Sequence, residues 1–149
     1  MAANEPHAYV SGDCFEVMAN SNNVVRMGCT PKLRDVPVLT EMLTFSSGLP
    51  CVLNGDAVNE NLRVYTPTDP SVTEFQLERL SMSSGDACSL PPAKTPSIVI
   101  IVDGAGSADG SPVSRGQVYV QQANANLKFT VPESVGASFL AFRVHCREL

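Results

Sequence analysis

The chain has 149 residues, which suits one domain of ordinary size and leaves little room for two complete ones. Fifteen Asp and Glu against ten Lys and Arg give a net charge of −5, which excludes a broad basic surface, so we expect neither nucleic acid nor a membrane as a partner. The five cysteines include no C-x-x-C pair and fit neither a disulfide framework nor a zinc knuckle. Residues 1–13 contain no Lys or Arg, which is untypical of a signal or transit peptide, and we expect a cytoplasmic protein.

Frequent Pro and Gly residues leave few windows that could hold a long helix, so the sequence predicts a mostly β fold. Alternating or β-branched segments predict strands, in chain order, over residues 14–18, 24–27, 62–65, 75–80, 98–102, 117–120, 127–131 and 139–145. Short strands at this spacing are typical of a sandwich or barrel. One helix is predicted from Asp35, with Pro37 in its first turn and an apolar stripe that ends at Leu43.

Composition divides the chain into three parts. Residues 1–45 are polar and end with the helix, residues 46–70 contain a connector, and residues 71–149 are expected to form a small β-barrel. Two local irregularities lead to further expectations. The alternation over 75–80 slips by one position, which favours a bulge or a strand end near Arg79. The Gly-rich stretch 104–107 follows a strand without a helix pattern behind it, which favours a β-turn.

The first part carries the residue types of a polar pocket. His7, Tyr9, Asp13 and Glu16 lie within ten positions of one another. If residues 7–10 and 14–18 are neighbouring strands, His7 and Glu16 project toward the same barrel interior. A single histidine does not make a metal site, and a structural imidazole remains the alternative.

The order of these residues closely resembles the type I mannose-6-phosphate isomerases. The resemblance is carried by P-H-A-Y at 6–9, G-D-C-F-E-V-M-A at 12–19, V-V-R-M-G-C-T-P-K at 24–32 and the helix D-V-P-V-L-T-E-M-L at 35–43. The remainder resembles the C-terminal cupin of that family more loosely. The resemblance implies an all-β fold: a cupin-like jelly-roll barrel with a short N-terminal β segment and one helix, as part of a double-cupin architecture. Residues 1–45 would be a piece of the catalytic cupin, and 71–149 the second, non-metal cupin.

The family interconverts mannose 6-phosphate and fructose 6-phosphate through an enediolate and uses one zinc ion. The resemblance implies that His7 is a zinc ligand and that Arg26 is the catalytic cation that stabilises the enediolate. It implies that Tyr9, Glu16 and Lys32 bind the substrate, a sugar phosphate, with Lys32 as an electrostatic partner of the phosphate.

The other three zinc ligands of the family are a Gln and a His in a Q-x-H strand and a Glu, all upstream of the matched region. No Q-x-H occurs in this sequence. We therefore expect zinc to bind weakly or not at all to the isolated chain, which would need the upstream half of an isomerase for activity. The alternative is a non-catalytic cupin remnant that acts as a binding or structural subunit. Exposed strand edges would in either case favour self-association.

Overall fold

The computed structural model describes residues 3–20, 24–28, 30–134 and 136–147, which form two compact units that divide between Val52 and Leu53. The first unit contains the helix α1 (Val36–Met42). The Asp35 carboxylate accepts a hydrogen bond from the Val38 N–H at 3.2 Å and so caps the first turn, as the sequence predicts. At the other end of α1 the Leu43 N–H donates to the Leu39 carbonyl.

The two strands predicted for the first unit are absent. Residues 14–18 and 24–27, all of them described, belong to no strand. An alternating sequence forms a strand only where a neighbouring strand supplies ladder hydrogen bonds, and the described residues of this unit offer no such ladder.

No helix in the described part of the chain is both long enough and apolar enough to cross a membrane.

The described part of the second unit contains nine antiparallel strands, two of which lie within residues 46–70. The strands are β1 (Asp56–Ala57), β2 (Leu62–Tyr65), β3 (Gln76–Ser83), β4 (Ala87–Leu90), β5 (Ser97–Ala108), β6 (Ser111–Ser114), β7 (Val118–Gln121), β8 (Leu127–Thr130) and β9 (Ser138–His145). Six of the predicted strands therefore exist, and the all-β class with one helix is confirmed.

Strand β5 belongs to two sheets. Its first part pairs with β7 and β9 in a sheet of order β1-β2-β3-β9-β5-β7. Its last part pairs with β6 and β8, and β8 pairs with β4. The register of the β5–β9 ladder shifts between Ile101 and Asp103, which marks a β-bulge shortly before β5 passes into the second sheet at Ala105. The result is a curled half-barrel of strands.

The β-turn expected at 104–107 is a continuous part of β5. Gly104 has φ +81°, and a Cβ at this position would overlap the carbonyl oxygen of Ser138 on β9. A Cβ on Gly106 would likewise overlap the carbonyl oxygen of Thr130 on β8. The glycines therefore mark the close approach of backbones at the bend rather than a chain reversal.

The bulge expected near Arg79 is also absent, because β3 pairs with β9 without interruption from Gln76 to Ser83. The apolar pattern slips because the inward positions of β3 include a charged residue: Glu78 is buried in the same row as Leu80 and Met82. Inward-facing apolar residues of both sheets form the core, in which the ring centroids of Phe129 and Phe139 lie 5.4 Å apart. The core residues are Leu62, Leu80, Met82, Cys88, Leu90, Val99, Ile101, Val113, Phe129, Val131, Phe139 and Ala141.

Candidate functional sites

In the first unit the structure brings three of the predicted site residues together. The Tyr9 hydroxyl donates a hydrogen bond to Glu16 Oε1 at 2.9 Å. The rings of His7 and Tyr9 meet edge to face, with centroids 6.2 Å apart. The hydrogen bond to Glu16 raises the pKa of Tyr9, and the negative charge of Glu16 acts in the same direction. All three side chains are exposed.

His7 is arranged as one potential metal ligand. Its Nδ1 lies 3.2 Å from the Glu5 carbonyl oxygen, and donation of a proton there leaves the lone pair of Nε2 free for a metal ion. Catalytic zinc is held by three protein ligands, and the described residues contain no group of three or more His, Cys, Asp or Glu side chains that could hold a metal ion. The described residues therefore fit one ligand of a zinc site and not the whole site.

Arg26 and Lys32 are also exposed. Within the described ranges, no hydrogen bond or ion pair joins either residue to Tyr9 or Glu16. Lys32 makes a local contact: its backbone N–H donates to Thr30 Oγ1 at 3.3 Å.

The second unit contains a buried polar cluster that the sequence does not reveal by motif. Arg143 on β9 donates from Nε to Glu78 Oε2 at 2.8 Å and from Nη2 to Glu78 Oε1 at 2.7 Å. Its Nη1 donates to the Pro91 carbonyl at 2.7 Å and to Gln121 Oε1 at 3.1 Å. Glu78 is 4% exposed and Arg143 is 2% exposed, so the two charges are removed from water but paired in a bidentate geometry.

His145 completes the cluster. Its Nε2 lies 3.3 Å from Glu78 Oε1, and its Nδ1 lies 2.9 Å from the Cys146 carbonyl oxygen. Both ring nitrogens thus face acceptors, which favours the doubly protonated imidazolium. The hydrogen bond with Glu78 raises the pKa of His145 against the opposing effect of burial. Burial disfavours the charge on Glu78, but the hydrogen bonds from His145 and Arg143 outweigh it and lower the pKa of Glu78.

The cluster forms the polar side of an open cleft with a volume of about 450 Å³. The signal that could have found it is the alternation along β9, where Phe139, Ala141, Arg143 and His145 all occupy the inward row.

Comparison with curated proteins gives a consistent set of relatives. Mannose-6-phosphate isomerase 2 of Arabidopsis thaliana is 39% identical over 132 residues, which cover 86% of this chain and 29% of that protein. The probable mannose-6-phosphate isomerase of Dictyostelium discoideum is 44% identical, over 70% of this chain and 24% of its own length. The enzyme of Aspergillus fumigatus is 35% identical, over 98% of this chain and 35% of its own length. The chain therefore spans about a third or less of these relatives.

No family model matches the chain. Among solved structures, a Cupin 2 conserved barrel domain protein from Salinispora arenicola is similar with a TM-score of 0.48 and 18% identity, over 66% of this chain and 88% of that chain. An RmlC-like cupin protein from Ralstonia eutropha has a TM-score of 0.48 and 17% identity, over 60% and 59%. The fold of the second unit is defined by the strand pairing described above. Over most of its own length, the chain is similar to a part of the mannose-6-phosphate isomerases.

Proposed function

We propose that this chain supplies part of the catalytic apparatus of a zinc-dependent mannose-6-phosphate isomerase and is incomplete as an isolated chain. The observation that carries the proposal is the 35% identity to the Aspergillus fumigatus enzyme over 98% of this chain, together with the P-H-A-Y and V-V-R-x-G-x-T-P-K segments. The proposed reaction converts mannose 6-phosphate to fructose 6-phosphate in the cytoplasm. We assign residues 1–45 to the catalytic cupin and 71–149 to a second cupin without metal, with 46–70 as the connector, which also contributes β1 and β2 to the sheet of the second unit.

In this proposal the residues of the first unit bind the substrate and stabilise the enediolate. Arg26 is the catalytic cation: an enediolate forms as a proton moves between C1 and C2, and a guanidinium beside it stabilises the negative charge. Lys32 attracts the phosphate as a point charge. The Tyr9 hydroxyl donates to Glu16 at 2.9 Å, and this bond holds the phenol in place. The other lone pairs of the Glu16 carboxylate can accept hydrogen bonds from substrate hydroxyls.

Zinc would supply polarisation of the substrate oxygens when bound, and His7 is the residue of this chain that would hold it. The described residues do not provide the remaining ligands. We therefore propose that the rest of a full-length isomerase contributes them and that turnover needs both polypeptides. The same observation favours the second candidate, a non-catalytic cupin remnant that serves as a binding or structural subunit, because a chain with one ligand does not retain a metal ion by itself.

A complementation assay distinguishes the two candidates. The chain is mixed with a separately expressed polypeptide that comprises the rest of the Dictyostelium discoideum relative, zinc is titrated in, and fructose 6-phosphate is followed in a coupled assay. We expect no turnover from either part alone and zinc-dependent turnover from the mixture. Arg26→Gln should abolish it, whereas Arg34→Gln, a change of another exposed arginine in the same unit, should retain it.

The remaining outcomes decide against parts of the proposal. A mixture that binds but shows no turnover at any zinc concentration would favour the remnant. Zinc-dependent turnover by the chain alone, lost in His7→Ala, would show that this chain holds all the ligands it needs. Turnover in the mixture that survives Arg26→Gln would remove Arg26 from the catalytic role.

A further inference from the structure

The cleft in the second unit has a chemically mixed lining. Its apolar lining residues are Val64, Pro91, Pro92 and Ala93, and its polar wall carries Arg143, His145 and Arg147 with neighbouring polar groups. A volume of about 450 Å³ is within the usual range of small-molecule sites, about 300–1,000 Å³. An apolar lining with a few convergent polar groups is the usual composition of such a site.

The charges that line the cleft do not cancel. Glu78 contributes one negative charge, which the bidentate bond to Arg143 neutralises. Arg147 adds a second guanidinium, and protonated His145 adds a third positive charge. The polar wall therefore carries an excess of one positive charge with neutral His145 and two with the imidazolium. This excess stands out in a chain whose net charge is −5.

The polar wall keeps N–H groups that can donate hydrogen bonds to a bound anion. Hydrogen bonds to Glu78, Pro91 and Gln121 use four of the five N–H groups of Arg143. Arg147 is half-buried and donates from Nη1 to the Val72 carbonyl at 3.3 Å, a bond that fixes the side chain at the cleft and leaves the rest of its fork for a bidentate acceptor. Gln76 donates to Thr66 Oγ1 at 3.1 Å and keeps a second amide N–H.

We propose that this cleft is a binding site for a small organic anion, a phosphate monoester or a carboxylate, whose charged group meets Arg147 and whose carbon part lies on Pro91, Pro92 and Ala93. The residues that line this cleft all belong to the second unit, and the proposal does not depend on the residues assigned to catalysis in the first unit. His145 acts through its charge, because both of its nitrogens already face Glu78 and Cys146.

The test uses the full chain labelled with ¹⁵N and follows amide chemical shifts on addition of glycerol 3-phosphate, mannose 6-phosphate, inorganic phosphate, acetate, glycerol or mannose. We expect saturable shifts at residues 93 and 145–147 with the two phosphate monoesters. Inorganic phosphate and acetate should cause the same shifts at higher concentration, and the neutral polyols should cause none. Arg147→Gln should weaken binding at least tenfold. Arg115→Gln, at an exposed arginine outside the cleft, should leave it unchanged.

Two further arms keep the proposal separate from the isomerase assignment. Arg26→Gln should not change glycerol 3-phosphate binding at 145–147, whatever it does to turnover. Raising the pH through the titration of His145 should weaken the binding of acetate, whose charge is constant in this range, in the wild type and not in His145→Gln, with Glu78, Arg143 and Arg147 as the other charged groups around the imidazole. Absence of shifts at 145–147 overturns the proposal. So does binding that tolerates Arg147→Gln in a folded variant, or equal binding of glycerol and its phosphate.

Discussion

Arg143 and Glu78, which are 65 positions apart in the chain, meet in a bidentate ion pair on neighbouring strands with N–O distances of 2.7 and 2.8 Å. They are also direct neighbours in the β3–β9 ladder. Because both side chains are buried, each charge depends on the other for the solvation that it has lost. The same pair therefore fixes the register of β3 and β9 and forms part of the lining of the cleft.

Removal of one partner of this pair should cost much of the stability of the second unit. In Glu78→Gln the Arg143 guanidinium stays buried without a counter-charge, and we expect the free energy of unfolding to fall by about 3–5 kcal/mol. Urea unfolding monitored by circular dichroism measures it. Glu74→Gln, the same change at an exposed position, should stay within about 0.5 kcal/mol of the wild type. Equal effects of the two changes would contradict the importance of the pair.

The stability should also depend on pH through His145. Its pKa in the folded chain is raised above the ordinary 6.5, so its contribution is complete below that value and is lost as the pH rises through the folded pKa. Glu78 acts in the opposite direction: its pKa is lowered below 4.5, so its contribution is lost as the pH falls through the folded value.

We therefore expect the free energy of unfolding to decline from mildly acidic to mildly alkaline pH, measured by urea titrations between about pH 5 and 8. His145→Gln should flatten this decline, whereas His7→Gln, at the other histidine of the chain, should keep it. A decline that is unchanged in His145→Gln would show that another group is responsible.

Six of the nine described strands of the second unit were predictable because alternation and core burial agree there: residues 62–65 are predicted and observed as the same strand. The short strands β1, β4 and β6 were not predicted. The polar cluster was not predictable by residue type, since a Glu, an Arg and a His on strands normally indicate a solvated face. Their partners lie on strands far apart in sequence, so only the three-dimensional pairing shows that the charges satisfy one another.

In the first unit the prediction was wrong in the opposite way, because strands were predicted where none is observed. Residues 14–18 and 24–27 have the composition of strands, but ladder partners decide whether such a segment becomes one, and a local sequence does not specify them. The capped helix was predictable because its signals, Asp35 and Pro37, act within a single turn.

Gly104 should be intolerant of a side chain. Gly104→Ala places a Cβ against the Ser138 carbonyl oxygen, so β5 and β9 must separate, and the residue is also left at φ +81°. Gly110→Ala is the matched control, because Gly110 has φ +82° and open space around its missing Cβ. We expect the control to cost about 1–2 kcal/mol from backbone strain, and Gly104→Ala to cost about 1–3 kcal/mol more. Thermal or urea unfolding of the two variants gives the difference directly; similar losses would show that the close approach is unimportant.

The contact between Tyr9 and Glu16 should be visible in the titration of the phenol. Glu16→Gln removes both the charged acceptor and the negative charge that raise the pKa of Tyr9, so this pKa should fall toward its ordinary value of 10.0. Carbon-13 resonances of the labelled tyrosine rings follow the titration of each phenol. Tyr65 and Tyr119 serve as internal references, because neither lies in the first unit. An unchanged Tyr9 titration in the variant would exclude the contact in solution.

Strand β5 forms ladders with β6, β7, β8 and β9, and it is the only described strand that takes part in both sheets. Neither sheet can therefore open by itself without loss of hydrogen bonds in the other. In hydrogen-exchange terms, the central amides of β5 should be released only when the whole second unit unfolds, while the short outer strand β1 exchanges through local fraying. The bend that joins the sheets makes the nine strands one cooperative unit rather than two layers that separate.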